Sequence, residues 1–498
     1  MLKILSAVQT KDLDQFTIEH EPIAPIDLME RACHAFTDWY IQHFQSDKKT
    51  GIVCGPGNNG GDGLGIARML SRLGYSVNVW VVKGDLKESE SFKKNLERIE
   101  GIRLSEISAD ANRELFDGCH VIIDALFGSG LSRPLEGIFS QVVSCINQTE
   151  AIRIAVDIPS GLLADSPSTG EIVRADYTIS FQLPKLAFFF PENHKWVGHW
   201  LLVDIGLSNV FIESVYSGNY FITENSIKKI IRPRDQFSHK GNYGHALLIA
   251  GSHGKMGACI LASKAALRSG VGLLTVQVPA CGYSIIQTSA PEAMAFVDVS
   301  ENHFSSPPED LNFSCIGIGP GIGVDSETAK ALAKILKQFK KPMVIDADGL
   351  NIMATHRELL QLIPEGSILT PHPKEFERMA GHWTNDFEKL KLLRTFSAQL
   401  KCIIVLKGAY TSIASPEGNV FFNSTGNPGM ATGGSGDVLT GLLTGILAQG
   451  YSSQETALLG TYLHGLAGDL AASESSKNLI ASDIIQGIPS AYRKLNRA

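Results

Sequence analysis

The chain has no Cys-x-x-Cys pair and no His-x-x-x-His pair; its eight cysteines, at positions 33, 54, 119, 145, 259, 281, 315 and 402, and its 14 histidines are scattered. A disulfide framework and a zinc centre therefore lack a sequence basis, and thiols inside apolar runs such as Ile52-Val53-Cys54 read as buried and free in a reducing compartment. No apolar run approaches the ~18 residues of a membrane span. The start, Met1 to Val8, meets Gln9, Lys11 and Asp12 too early for a secretory signal. A cytoplasmic protein without membrane contact is expected. A nucleic-acid partner is not: 44 Lys and Arg stand against 51 Asp and Glu, a formal net charge of −7, with no dense basic run interleaved with aromatics. Internal repeats and low-complexity tracts are absent too.

What the chain has in quantity is glycine, 48 of 498 residues, much of it at the ends of short apolar runs. The length predicts two or three domains. Residues 27–44 place Met29, Ala32, Cys33, Phe36 and Tyr40 on one helical face, with Asp27 and Glu30 as an N-terminal box. A strand at 50–55, a glycine-rich turn from Pro56 to Gly63, a helix at 64–73 and a strand at 76–82 make a βαβ unit. Gly55, Gly57 and Gly60 satisfy Gly-x-Gly-x-x-Gly, and Asp85 stands near the distance of a ribose-binding acid. Asn58, Asn59 and Asp62, however, crowd polar side chains into a turn that a dinucleotide motif leaves to backbone. The missing Gly-Lys-Ser/Thr excludes a nucleoside-triphosphate P-loop of the usual form.

Strand-like runs at 120–124 and 153–157 end in Asp124 and Asp157 ahead of glycine loops. In an open α/β sheet the ligand lies at the carboxyl ends of the strands, so Asn59, Asp124 and Asp157 are expected in one crevice, where Asn and Asp oxygens suit a hard cation. Lys185, between strands at 176–181 and 200–204, offers a cation. Residues 206–240 change character, which places a boundary near 215 and gives domains 1–215 and 216–498. A second α/β series follows, with strands at 245–251 and 272–278, a strand-then-glycine run at 315–323, a run at 342–349 ending in paired acids, one at 367–373 leading into a helix at 374–379, and last strands at 402–410 and 418–423.

That series ends in Asn427-Pro428-Gly429-Met430-Ala431-Thr432-Gly433-Gly434-Ser435-Gly436-Asp437, followed by an apolar helical run at 438–448. Four glycines let the backbone curl so that N–H groups and the positive helix end converge on one anion. Asp437, beside such a phosphate seat, reads as a proton acceptor in preference to a helix cap. Lys407 supplies a nearby cation. His372, between Pro371 and Pro373, is held rigidly, as fits a functional position or a surface histidine alike. Phosphoryl transfer asks for positioning, charge neutralisation and a home for one proton. On the residues alone, a small-molecule kinase with an accessory nucleotide-binding domain, a non-catalytic nucleotide sensor and, more weakly, a dehydrogenase all remain open.

The motifs together resemble the bifunctional NAD(P)H-hydrate repair enzymes, over nearly the whole chain. Gly57-Asn58-Asn59-Gly60-Gly61-Asp62-Gly63, Asp124 to Pro134 and Val156 to Gly161 are similar to the epimerase half. Gly319 to Gly323, Asp346 to Asn351, Leu369 to Pro373 and Asn427 to Leu439 are similar to the dehydratase half. The resemblance implies a Rossmann-like three-layer αβα epimerase domain and a ribokinase-like α/β dehydratase domain. It implies that Asn58, Asn59, Gly60, Gly61 and Asp62, with Gly128, Ser129, Gly130, Leu131, Ser132, Arg133, Pro134 and Asp157, hold the hydrated nicotinamide nucleotide. Asn59, Asp124 and Ser160 would bind K+. In the dehydratase domain Ala258, Gly321, Gly323, His372 and Asp437 would contact NADHX or NADPHX. Lys407, Gly408, Ala409, Tyr410, Thr411 and Gly436 would contact ADP, with Mg2+. Asp437 and Asp157 would be the catalytic pair, one in each domain, and the assembly a homo-oligomer.

Overall fold

The computed structural model describes residues 1–108, 111–472 and 476–496. The chain forms two compact units, one of residues 3–217 with 385–387, the other of residues 1–2, 218–384 and 388–498.

The first unit carries a parallel sheet in the order Arg103–Ile107, Val77–Val82, Thr50–Cys54, Val121–Ala125, Ile152–Val156, Tyr177–Phe181 and His199–Val203. Alternate residues of each strand face opposite ways. Ile52, Cys54, Val79, Val81 and Ile123 accordingly pack with helices Pro25–His43 and Asn58–Arg72. Val53, Trp80, Val82 and Ile122 pack on the other face with Phe139, Val142, Val143 and Ile146 of helix Gly137–Asn147. Three layers result. Winding reverses between Thr50–Cys54 and Val121–Ala125, the place where doubly wound sheets open a crevice.

In the second unit Met294–Val297, Leu273–Val278, His245–Ile249, Cys315–Ile318, Met343–Ile345, Ile368–Leu369 and Ile403–Leu406 are parallel neighbours in that order. Ser412–Ala414 and Val420–Phe422 continue the sheet antiparallel, and Asn219–Phe221 joins Val420–Phe422 in parallel. Helix Ser435–Ala448 is buried along most of its length in this unit's core.

Three local expectations are corrected. The helix expected at 27–44 begins at Pro25 after the cap residue Ala24, with no side-chain cap, because proline is preorganised for the first helical position; Asp27 and Glu30 form no box. The helix expected from Leu64 starts at Asn58, so Asn58 to Asp62 lie on helix, not turn. A side chain at Gly60 would strike the Gly55 carbonyl at 1.7 Å, so glycine lets this first helical turn lie directly on the strand end. Likewise the last helix of the glycine motif starts at Ser435, placing Asp437 inside its first turn.

The cysteines are all free; Cys119 and Cys281 are half-buried and the other six buried. Among the described residues no helix is long and apolar enough to cross a membrane.

Candidate active sites

The first site gathers where winding reverses. Asp124, fully buried on its strand, accepts from Ser160 N at 2.8 Å through Oδ2, and from Ser160 Oγ at 2.6 Å and Leu126 N at 3.2 Å through Oδ1. Ser160 Oγ also accepts from Phe127 N at 2.9 Å and lies 3.2 Å from the Phe127 carbonyl. Burial lifts the Asp124 carboxyl to about 6, against the Ser160 and Leu126 hydrogen bonds that lower it. Asn59, in the first turn of helix Asn58–Arg72, packs against Gly128, and its Nδ2 is buried without a partner. Asn59, Asp124 and Ser160 thus share one neighbourhood of oxygen donors with a single carboxylate. Gly130, Ser132, Arg133 and Pro134 lie exposed, Ser129 and Leu131 half-buried, all outside the Asp124 hydrogen bonds.

Asp157 belongs to a second group in the same unit. Its backbone is left-handed, with φ of 66°, a strain costing ~1–3 kcal/mol that neighbours must hold in place. They do so through Asp157 Oδ1, which accepts from Lys185 Nζ at 2.5 Å, Phe181 N at 3.1 Å and Ser180 Oγ at 3.2 Å. Lys185 is only 3% exposed, so its ammonium faces inward. Two further carboxyls face this pair. Burial, then the charge of Asp157, raises Asp14 to about 6 and holds Asp62 well above the ordinary carboxylate range, while Lys185 pulls Asp14 down. Asp62 stands in a motif; Asp14, on helix Ala7–His20, stands in none, so its role was invisible in the sequence.

In the second unit the strand Met343–Ile345 delivers Asp346, which is 1% exposed. Its Oδ1 lies 2.7 Å from Lys407 Nζ, and its Oδ2 accepts from Thr440 Oγ1 at 2.6 Å. Gly436 lies against both: a side chain there would come 3.5 Å from Lys407 Nζ and 3.8 Å from Asp346 Oδ2. Lys407 is therefore not a free cation but the partner of an acid that the strand-end motif contained and the sequence reading left without a role. Asp437 makes no capping bond. The helix is capped by Gly434, left-handed at φ 89°, with no side-chain hydrogen bond. The N–H groups of Gly436 and Asp437 have no partner among the described residues, as an anion seat requires. Burial first, then Asp346, raises the Asp437 carboxyl to about 6, with Lys407 opposing.

Around this centre, Gly321 packs on Ala258 and Lys255, and Gly323 N donates to Asp348 Oδ2 at 2.9 Å. Thr411 Oγ1 donates to Gly408 O at 2.9 Å, closing the turn of residues 407–411 that includes Ala409 and Tyr410. His372 has a structural task of its own: Nδ1 accepts from Lys374 N at 3.2 Å and Glu375 N at 3.3 Å, capping helix Pro373–Ala380. Its pKa is lowered by burial first and then by Lys407. His464, inside helix Ser453–Ala471, went unnoticed in the sequence because an apolar run surrounds it. Its Nε2 lies 2.9 Å from Ser435 O, bracing the seat from below, and burial lowers it to about 4.

A family profile described as NAD(P)H-hydrate dehydratase matches residues 246–490, and one described as YjeF-related protein N-terminus matches residues 25–187. The bifunctional NAD(P)H-hydrate repair enzyme of Thermofilum pendens is 34% identical, over 99% of this chain and 97% of its own length. The chain belongs to the family of bifunctional NAD(P)H-hydrate repair enzymes. Its Escherichia coli relative of the same name is 33% identical over 87% of this chain and 83% of that one. A crystal structure of the ADP/ATP-dependent NAD(P)H-hydrate dehydratase from Bacillus subtilis, co-crystallised with ATP and Mg2+, is 32% identical with a TM-score of 0.50. It covers 56% of this chain and 99% of that one. A ribokinase-like superfamily protein from Enterococcus faecalis is 30% identical with a TM-score of 0.51, covering 57% of this chain and 99% of that one. The family relation favours hydrate repair over the plain kinase, sensor and dehydrogenase readings of the residues.

Proposed function

We propose that the chain repairs hydrated NADH and NADPH in two steps divided between its halves. The domain of residues 1–215 interconverts R- and S-NAD(P)HX. The domain of residues 216–498 dehydrates S-NAD(P)HX at the expense of ADP, releasing AMP and phosphate. Hydroxide at C6 of the nicotinamide ring is a poor leaving group. Phosphorylation makes it a good one, and elimination then restores the double bond.

The observation that carries this reading is Asp437. It is a desolvated carboxyl that accepts no hydrogen bond among the described residues, at a helix start where the Gly436 and Asp437 N–H groups have no partner among those residues, and beside the Lys407–Asp346 pair. A base so placed accepts the C6 hydroxyl proton while Gly436 and the helix end take the charge of the moving phosphoryl group. Ala258, Gly321, Gly323 and His372 form the substrate side, and Lys407 to Thr411 the nucleotide side. Mg2+ supplies charge neutralisation on the nucleotide phosphates. The described residues form no group of three His, Cys, Asp or Glu ligands that would cage a metal by themselves, which suits an ion brought in on phosphate oxygens.

In the epimerase domain the donor set of Asn59, Asp124 and Ser160, with the Phe127 carbonyl close by, is all oxygen with one carboxylate, which fits K+ better than a divalent ion. These residues would hold K+, which supplies a fixed positive charge beside the substrate's phosphates. Asn58 to Asp62, Gly128 to Pro134 and Asp157 bind the hydrated nucleotide. The free thiols suit a reducing cytoplasm, and the assembly is a homo-oligomer.

The test is incubation of the protein with mixed R- and S-NADHX, with and without ADP and Mg2+, following the return of NADH absorbance. Full recovery with ADP supports the reading; accumulation of a phosphorylated product favours a kinase and overturns it.

A further inference from the structure

We propose that Asp14 is the acid of the epimerising site, working against Asp157 as the base, with Lys185 and Asp62 holding the charge and proton between them. This rests on reading the first unit as an epimerase. Asp14 stands ahead of residues 25–187, the segment that the family profile matches.

The fold fastens Asp14 inward. Helix Ala7–His20 is tied at its start by Ala7 N to Asp165 Oδ2 at 2.7 Å and by Gln9 Nε2 to Tyr216 O at 2.8 Å. Near its end Thr17 Oγ1 accepts from Ser208 N at 3.0 Å. Leu13, with no exposed surface, sets the buried face beside Asp14. The groups facing Asp14 are Asp157 and Lys185, beyond the strands, and Asp62, on helix Asn58–Arg72; Asp165 also faces Lys185. Asp157, Asp14 and Asp165 thus surround one ammonium. Lys185 is used up by Asp157, Ser180 and Leu183 O. The carboxyls of Asp14 and Asp62 accept no hydrogen bond among the described residues. Asn59, three residues before Asp62 and so on the same helix face, has its buried Nδ2 unpartnered as well. Polar groups left unsatisfied on one side of an ion pair mark a place built for a polar ligand.

One desolvated carboxyl whose pKa is raised toward working pH and one carboxyl ion-paired to an ammonium are the two tools that inversion at C6 requires. C6 carries the hydroxyl and is bonded to ring N1. Asp14 gives its proton to the hydroxyl, the C6–O bond breaks with its electron pair on departing water, and the N1 lone pair forms an N1=C6 double bond. Water then adds to the opposite face of C6, the double-bond pair returns to N1, and Asp157 takes the proton of the incoming water. The ring is neutral again with C6 inverted. Asp14 is left as carboxylate and Asp157 protonated, which is the state needed for the reverse epimer, so the pair serves both directions. Burial places Asp14 at about 6, close to working pH, as an acid that must be reloaded requires.

The experiment follows R-NADHX to S-NADHX by chromatography without ADP, in water labelled with heavy oxygen, using the full chain. Wild type is expected to place label in the C6 hydroxyl at the rate of epimerisation, which falls as pH rises above the Asp14 range. Asp14→Asn is expected to lower kcat by ~100-fold with KM nearly unchanged, to lose label uptake equally and to lose that limb of the pH profile. ADP-dependent loss of S-NADHX should stay at the wild-type rate, a check that the variant is folded. Asp14→Glu should restore most of the rate with a displaced pH limb. Epimerisation by Asp14→Asn at the wild-type rate, or failure of Asp14→Glu to restore any, overturns the role of Asp14. Wild-type epimerisation without label uptake overturns the addition–elimination step. A wild type that never epimerises overturns the epimerase reading itself.

Discussion

Lys407 Nζ and Asp346 Oδ1 lie 2.7 Å apart, the acid almost wholly buried and the ammonium mostly so. Removing one member of such a pair leaves a desolvated charge, which costs more than the pair itself contributes. Lys407→Met is therefore expected to destabilise the second unit by about 3 kcal/mol and to abolish ADP-dependent dehydration, as read by thermal unfolding and NADH recovery. Wild-type stability in this variant would mean that Asp346 finds another partner.

Asp437 separates stability from activity. Its folded pKa of about 6 lies above the ordinary 3.8, so the folded chain binds the proton more tightly. Its contribution is fully present below the ordinary value and is lost as pH rises through about 6. At neutral pH Asp437→Asn should raise stability by about 1 kcal/mol while abolishing dehydration of S-NADHX and sparing R-to-S conversion. In wild type, dehydration should climb with pH to a plateau above about 6.

His372 caps its helix and is proposed to meet substrate, and two substitutions pull these tasks apart. His372→Ala should cost about 1 kcal/mol through the lost cap. Asn is a good cap residue, so His372→Asn should recover stability but not the wild-type KM for S-NADHX. Equal KM in His372→Asn and wild type would leave His372 a cap only.

Potassium dependence should be confined to one half. Replacing K+ by a bulky organic cation is expected to slow R-to-S conversion at least tenfold, with no change in dehydration of pure S-NADHX. Asp124→Asn should mimic the replacement. Equal epimerisation rates in both salts would remove K+ from the site.

His464 should make the second unit acid-sensitive. Its pKa falls from the ordinary 6.5 to about 4 on folding, so the unfolded chain binds the extra proton first and stability drops as pH falls through that window. His464→Gln should flatten this part of a stability–pH curve, measured by denaturant unfolding.

Much of this molecule was legible in one dimension because α/β units announce themselves locally. Short apolar runs ending in glycine and acid place strand ends and the helix starts that follow them, so Asn59, Asp124, Asp157, Lys407 and Asp437 could be named as candidates from their motifs. The helix starts at Asn58 and Ser435 were misjudged for a tertiary reason: glycine breaks helices in isolation, but here it permits the close approach that packing rewards. Partnership was not legible at all. Asp346 meets Lys407 across 61 residues and Lys185 meets Asp157 across 28, while Asp14 and His464 carry no motif. Sequence alone determined the residue types and the ends of strands, through local backbone preference and hydrophobic spacing. Only the folded packing decided which carboxyls lose water, which gain an ammonium and which keep a proton, because desolvation and charge pairing depend on neighbours that the chain brings from far away.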